Sequence, residues 1–148
     1  MRGGARFYTR DPAQADDLVQ ETVLRALAGA DTFVPGSNMR AWCFTILRNF
    51  FLEQMRRGRK ERELLAQYGK DTEPSPSSTS TWKGEDLHEL EHLLWQLSPV
   101  LREALVLIGA QEMTYMEAAQ VCGVEVGTMK ARVSRARAML RTIMDQHS

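Results

Sequence analysis

The sequence predicts an all-α protein of two small helical domains joined by a flexible linker. Apolar residues recur at helical spacing behind recognisable caps, and no segment alternates with the two-residue period of a strand. From Gly69 to Gly84 almost every residue is polar, glycine or proline, so the stretch cannot offset its ordering entropy and reads as a linker. The chain has 148 residues, 43% apolar and 26% charged, which suits one ordinary domain or two small helical ones. The expected division is a first domain over 1–66, a linker over 67–85 and a second domain over 86–148.

The first long helix is expected from Pro12 to Ala28. Asp11 can cap it, Pro12 fits its first turn, and Leu18, Val19, Val23, Ala26 and Leu27 share one face. Asp16, Asp17, Gln20 and Glu21 fall on the other. Gly29, Pro35, Gly36 and Ser37 break the pattern, and Asn38 can cap a second helix running to about Lys60. Its Met39, Trp42, Cys43, Ile46, Leu47 and Phe50 form one stripe. After the linker a helix is expected over 86–97, and Ser98 and Pro99 then open another carrying Leu101, Leu105 and Ile108, with Gly109 near its end. Thr114 to Glu117 forms a capping box for a short helix to Cys122. Gly123 follows, and a last helix runs from Val126 to about Met144. Short helix, glycine turn and longer basic helix together read as a helix-turn-helix.

Equal numbers of basic and acidic residues, 19 each, conceal two basic ends around an acidic middle. Residues 1–60 hold 10 basic and 6 acidic side chains, 61–100 hold 3 and 8, and 101–148 hold 6 and 5. Lys130, Arg132, Arg135, Arg137 and Arg141 occur with no acid among them, a polyanion-sized patch. Cys43 and Cys122 lie in apolar periodic segments with no secretory leader ahead of them, which predicts buried thiols, a reducing compartment and a cytoplasmic protein. No apolar run approaches the roughly 20 residues needed to cross a bilayer, so no membrane partner is expected.

On the last helix Met129, Val133, Ala136, Leu140 and Ile143 form a core stripe, while Gly127, Thr128, Lys130, Ala131, Ser134 and Arg135 face away near the N-terminal end. That is where a recognition helix meets base edges. The small residues permit deep entry into a major groove, and Lys130 and Arg135 can reach guanine or phosphate from its flanks. A solvated basic face has the same composition; the turn chemistry upstream favours DNA. On the second helix Arg40, Phe44, Arg48 and Phe51 alternate cations with aromatics opposite the core stripe, an edge suited to unpaired bases. Packing on another helix accounts equally well for Phe44. Arg56, Arg57, Arg59 and Lys60 suit duplex phosphate or a solvated helix end.

His88-Glu-Leu-Glu-His92 matches a zinc-protease pattern. It is rejected, because only His147 remains as a further histidine and the segment reads as an ordinary amphipathic helix without a cleft or third ligand. No catalytic residue, metal site or cofactor is expected.

Three segments carry a family likeness: Ala15-Asp-Asp-Leu-Val-Gln-Glu-Thr22, Gly36-Ser-Asn-Met-Arg-Ala-Trp-Cys-Phe-Thr-Ile-Leu-Arg-Asn49 and Val126-Gly-Thr-Met-Lys-Ala-Arg-Val-Ser-Arg-Ala-Arg137. In this order they resemble an extracytoplasmic-function (ECF) sigma factor of the sigma-70 family, most like the general stress-response (EcfG) type. The resemblance implies region 2 in the first domain, region 4 in the second, and partners in core RNA polymerase and promoter DNA. It also implies a small helical anti-sigma protein of the NepR type. Asp16, Asp17, Gln20 and Glu21 would dock on the polymerase clamp. The loop from Phe33 to Asn38, with Arg40, Trp42, Arg48 and Asn49, would melt and read the minus-ten element; Trp42 also suits a core role, and Asn49 a local backbone bond. Lys130, Ala131, Ser134 and Arg135 would read the minus-thirty-five element, with Arg132, Arg137 and Thr114 nearer the backbone. The alternative function is a sigma-like decoy that sequesters an anti-sigma protein without binding DNA. Only Arg2 to Thr9 precede the Asp11 turn, shorter than the family's usual first helix, so either the first bundle is incomplete or the true start lies upstream.

Overall fold

The computed structural model describes residues 2–67 and 85–146, so the expected linker lies almost wholly outside the described residues. The N-terminal half consists of α1 (Arg2–Ala5), α2 (Pro12–Ala28), a 3-10 turn (Ala30–Thr32) and α3 (Met39–Gln67). The C-terminal half holds α4 (Glu85–Trp95), α5 (Pro99–Leu105), a π-helical turn (Val106–Ala110), α6 (Tyr115–Cys122) and α7 (Val126–Gln146). Among the described residues there is no strand.

The start and stop of α2 follow from its sequence. The Asp11 carboxylate accepts from the Ala13 amide at 2.9 Å, Pro12 occupies the first turn, and the Gly29 amide closes onto the Arg25 and Leu27 carbonyls. α2 packs on α3 around Ala5, Ala15, Leu18 and Leu47, with Val19 and Phe50 at the edge. Thr22 is buried in this contact and donates its hydroxyl proton to the Leu18 carbonyl at 2.6 Å. Arg25 ties the two helices from outside, reaching Glu53 at 3.0 and 3.3 Å and Glu21 at 3.2 Å above the Phe50 ring. The Arg25 hydrogen bonds hold the Glu53 carboxyl below its ordinary value. α3 runs on to Gln67, beyond the expected end near Lys60, because no proline or capping glycine stops it.

In the C-terminal half Leu94, Leu97, Val106, Ala136 and Ile143 form one core, with Leu93, Leu101 and Leu140 beside it. Met129, Val133, Ala136 and Ile143 of the expected α7 stripe are buried. The capping box of α6 closes as the sequence predicts: the Thr114 hydroxyl oxygen accepts from the Glu117 amide at 3.1 Å, and Glu117 accepts from the Thr114 amide at 2.9 Å. Gly123 ends α6 at φ 66, a left-handed conformation that a side chain would oppose.

Two placements on α3 differ from the periodicity, as do Val23 and Leu27 on α2, which are exposed. Phe44, assigned to the outer edge of α3, is fully buried in the C-terminal half's cluster of Ala104, Leu107, Met113, Ala118, Ala119 and Cys122, while Met39, assigned to the core stripe, is 59% exposed. A helical wheel sees one apolar stripe; here α3 packs on two sides, against α2 and against α6. Arg102 is also buried, its side chain lying 3.6 Å from the Trp95 ring and donating to the carbonyls of Phe7 at 2.9 Å and Leu97 at 3.1 Å. Burial and neighbouring Arg10 lower its pKa to about 10.

Candidate nucleic-acid interface

The C-terminal face is built by the helix-turn-helix. α6, held by its capping box, and the turn at Gly123 present α7 with its apolar stripe inward. This leaves Gly127, Thr128, Lys130, Ala131, Ser134, Arg135 and Arg137 exposed along one side, with Arg132 half-buried. The Lys130 ammonium lies 5.7 Å from the Tyr115 ring centre, so the short helix steadies one cation of the long one. Thr114 is exposed, but its hydroxyl oxygen is engaged in the cap. The seven outward positions form a shallow, basic strip free of bulky apolar groups, a shape that admits close approach to a duplex.

The second face lies on α3 and the loop before it. Asn38 caps α3, its side-chain oxygen accepting from the Arg40 amide at 3.0 Å and the Ala41 amide at 3.3 Å. Trp42 is half-buried with its ring 5.2 Å from that of Phe33, so it braces the loop that starts there. Asn49, Arg56 and Arg57 are exposed. Four neighbours instead meet the C-terminal half. Asn38 donates to Glu117 at 2.6 Å, Arg40 donates to the Gln111 carbonyl at 3.2 Å, Arg48 pairs with Glu103 at 2.8 Å, and Phe44 enters the cluster beneath α6. The structure therefore ties Asn38, Arg40, Phe44 and Arg48 to the C-terminal half, with Phe44 buried, Arg48 half-buried and Asn38 and Arg40 still exposed; among the described residues it ties none of Asn49, Arg56 and Arg57 there by a hydrogen bond.

Glu103 is the centre of that contact and had no sequence signal. It accepts from the Tyr8 hydroxyl at 2.5 Å as well as from Arg48, across separations of 95 and 55 residues. Burial and then the Glu103 carboxylate push the Tyr8 phenol well above its ordinary value. Burial, followed by Glu103, raises the Cys122 thiol to about 12, so it is a thiol and not a thiolate at neutral pH. Both cysteines are free, Cys122 buried and Cys43 half-buried.

The third face is on α2. Asp16, Asp17 and Gln20 are exposed, and half-buried Glu21 is bound to Arg25. Beside it, Val23, Leu24 and Leu27 are 41%, 62% and 70% exposed, an apolar strip that α3 does not cover. Among the described residues no group of three or more histidine, cysteine, aspartate or glutamate side chains converges as metal ligands. No described helix is long and apolar enough to cross a membrane.

Comparison with known proteins agrees with this layout. Residues 1–61 match the family Sigma-70 region 2, and residues 87–140 match Sigma-70, region 4. The chain is 47% identical over 145 residues to the ECF RNA polymerase sigma factor EcfG of Rhodopseudomonas palustris, covering 97% of this chain and 78% of that protein. Its fold matches the sigma factor RpoE of Bartonella quintana, solved in complex with the anti-sigma factor NepR, with a TM-score of 0.77 at 40% identity over 97% of this chain and 89% of the other. It also matches CnrH, solved with the cytosolic domain of CnrY, with a TM-score of 0.70 at 28% identity over 99% of this chain and 81% of the other. Region 2 in the N-terminal half, region 4 in the C-terminal half and near full-length identity to EcfG place this chain in the ECF sigma factors, a family of RNA polymerase sigma factors that direct transcription initiation.

Proposed function

We propose that this chain guides core RNA polymerase to promoters with two elements, without catalysis of its own, and that its stress-type regulation runs through a small helical anti-sigma protein of the NepR type. The observation that carries the reading is the exposed strip of α7 behind a fully formed capping box and glycine turn. In this reading Lys130, Ala131, Ser134 and Arg135 meet bases at minus thirty-five, while Thr114, Thr128, Arg132 and Arg137 hold the backbone. Asn38, Arg40, Trp42, Phe44, Arg48 and Asn49 serve the minus-ten element, with Arg56 and Arg57 on phosphate. Asp16, Asp17, Gln20 and Glu21 dock on polymerase, supported by the exposed apolar strip beside them. The domains run over 1–66 and 86–148, and the site of action is the cytoplasm.

Run-off transcription with core polymerase tests the reading: promoter-dependent transcript is expected, and its absence from every stress-type promoter overturns it. Asp16→Ala with Asp17→Ala is expected to lose polymerase in a pull-down while shifting stability by only about 0.5 kcal/mol, as exposed substitutions do. Support for the anti-sigma partner comes from the apolar groove of about 480 Å³ between the two halves, lined by Phe7, Met55, Trp95 and Val100. A NepR-type protein is expected to form a one-to-one complex that excludes polymerase, and simultaneous binding of both overturns that part. The decoy alternative is disfavoured, since a chain that never touches DNA has no use for the basic strip on α7.

A further inference from the structure

Three residues with no part in the promoter-reading faces meet at one ring. Trp95 ends α4, Arg102 lies one turn into α5, and Arg10 sits in the turn before α2. The Arg102 guanidinium carbon is 3.6 Å and that of Arg10 5.0 Å from the Trp95 ring centre, so the two cations are no farther apart than the sum of these distances. Arg102 is only 5% exposed, and its hydrogen bonds go to two neutral carbonyls, those of Phe7 and Leu97. A guanidinium carries five N–H donors, and Nη2 of Arg102 makes no hydrogen bond. Among the described residues no carboxylate forms an ion pair with Arg10 or Arg102. A buried charge without a counter-charge is costly, and the ring face attracts the cations without neutralising either. The strain is visible in Arg102, whose pKa burial and then Arg10 lower to about 10. Trp95 adds to the deficit: among the described residues its Nε1 is the one buried side-chain nitrogen or oxygen with no hydrogen-bond partner, and such a group calls for an explanation.

Trp95, Arg10 and Arg102 all line the groove of about 480 Å³ between the two halves. The rest of its wall is largely apolar, with Phe7, Phe51, Leu52, Met55 and Val100. The acids on it are already engaged, since Glu103 holds Tyr8 and Arg48 and Asp11 caps α2. Arg10, Arg48 and Arg102 against Asp11 and Glu103 leave an excess of one positive charge. Apolar walls around a few convergent polar groups, in a cavity of this size, are the usual form of a small-molecule site. A helix laid across the groove covers the exposed Met55 and Val100 but leaves Arg102 and Trp95 Nε1 beneath it without an acceptor. An acid whose body fills the groove serves both.

We propose that this groove binds a small amphipathic carboxylic acid as its anion, with the apolar body against Phe7, Phe51 and Met55 and the carboxylate accepting from Arg102, Arg10 and Trp95 Nε1. The planar, two-oxygen head matches the guanidinium fork, and its single charge matches the excess in the groove. The site stands apart from the promoter reading, because its occupancy is measured on the free chain without polymerase or DNA.

The test titrates octanoate into the nitrogen-15-labelled full chain and follows the indole N–H signals, with Trp95→Phe identifying that of Trp95. The Trp95 signal is expected to move downfield and saturate as Nε1 gains an acceptor, while that of Trp42 stays in place. Acetate supplies the head without the body, and 1-octanol and octylammonium supply the body without the anion; each is expected to bind at least about tenfold more weakly than octanoate. Arg10→Ala, at an exposed position, is expected to weaken octanoate about tenfold and Arg102→Gln up to about a hundredfold, the range for lost charge-assisted hydrogen bonds, with little change for 1-octanol. A Trp95 signal indifferent to octanoate, 1-octanol that binds as tightly, or unchanged affinity in Arg10→Ala overturns the proposal. So does a Trp95 signal that moves only with a NepR-type protein, which gives these donors to a partner's side chain instead. Should Arg102→Gln not fold, the ligand series and Arg10→Ala still decide. Failure of the functional reading looks different, because run-off transcription is then absent while octanoate still moves the Trp95 signal.

Discussion

Phe44→Ala separates two roles for one ring. Phe44 is 0% exposed and packs among nine buried residues of the C-terminal half. Truncating such a ring removes its transfer energy and leaves a cavity, a cost of about 3–5 kcal/mol when the surroundings cannot collapse. Collapse is hindered here, because the cluster is shared by α5, α6 and α7 and Phe44 is its only buried member from the N-terminal half. For a chain of 148 residues each kcal/mol moves the melting temperature by about 3 °C, so a drop near 10 °C is expected. Amide hydrogen exchange should locate the loss, with protection falling at the α3–α6 contact and persisting at Leu18 and Ile143, which lie in other cores. Calorimetry that finds a loss below about 1 kcal/mol refutes the reasoning, since that is what a solvated ring loses on truncation.

Three further substitutions test other parts of the structure. Gly4→Ala places a methyl carbon 2.3 Å from Phe44 Cζ, so the ring or α1 must move; a loss of about 1–3 kcal/mol by thermal melting is expected, and an unchanged melting temperature contradicts the packing. Arg135→Ala is expected to cost about 1–3 kcal/mol at the upstream element and relax base preference there, whereas Arg137→Ala weakens binding evenly; equal losses on all sequences for both, in a binding assay across promoter variants, remove the base-reading role from Arg135. Glu117 is held below its ordinary carboxyl value by the Thr114 amide and then by Asn38, so its stabilisation is present above about pH 4.5 and is lost as pH falls through the lower folded value. Melting curves from pH 6 to pH 3 should therefore fall more steeply for wild type than for Glu117→Gln, and parallel curves count against the cap's contribution.

Much of the local structure was legible because its causes are local. Asp11, Pro12 and Gly29 determine where α2 begins and ends, Thr114 and Glu117 fix the start of α6, and Gly123 fixes the turn, since each acts on backbone groups within four residues of itself. The α7 stripe was equally plain: one buried side at a 3.6-residue period leaves the basic residues only one way to face. With them came the region-4 face, the acidic face of α2 and the family.

The sequence by itself therefore determined the elements, their caps and the outward strip of α7. Only the tertiary structure decided what α3 does with its second side. Arg40, Phe44 and Arg48 have the alternating pattern of a solvent-facing edge, yet Phe44 is buried and Arg48 half-buried against α5 and α6 while Arg40 stays exposed, because Glu103 and the α6 cluster arrive from residues 55 or more positions away. Tyr8, Arg102 and Glu103 gave no signal for the same reason: a phenol, a guanidinium and a carboxylate look solvated in sequence, and become half-buried (Tyr8, Glu103) or buried (Arg102) hydrogen-bond partners only when two helical halves close on one another.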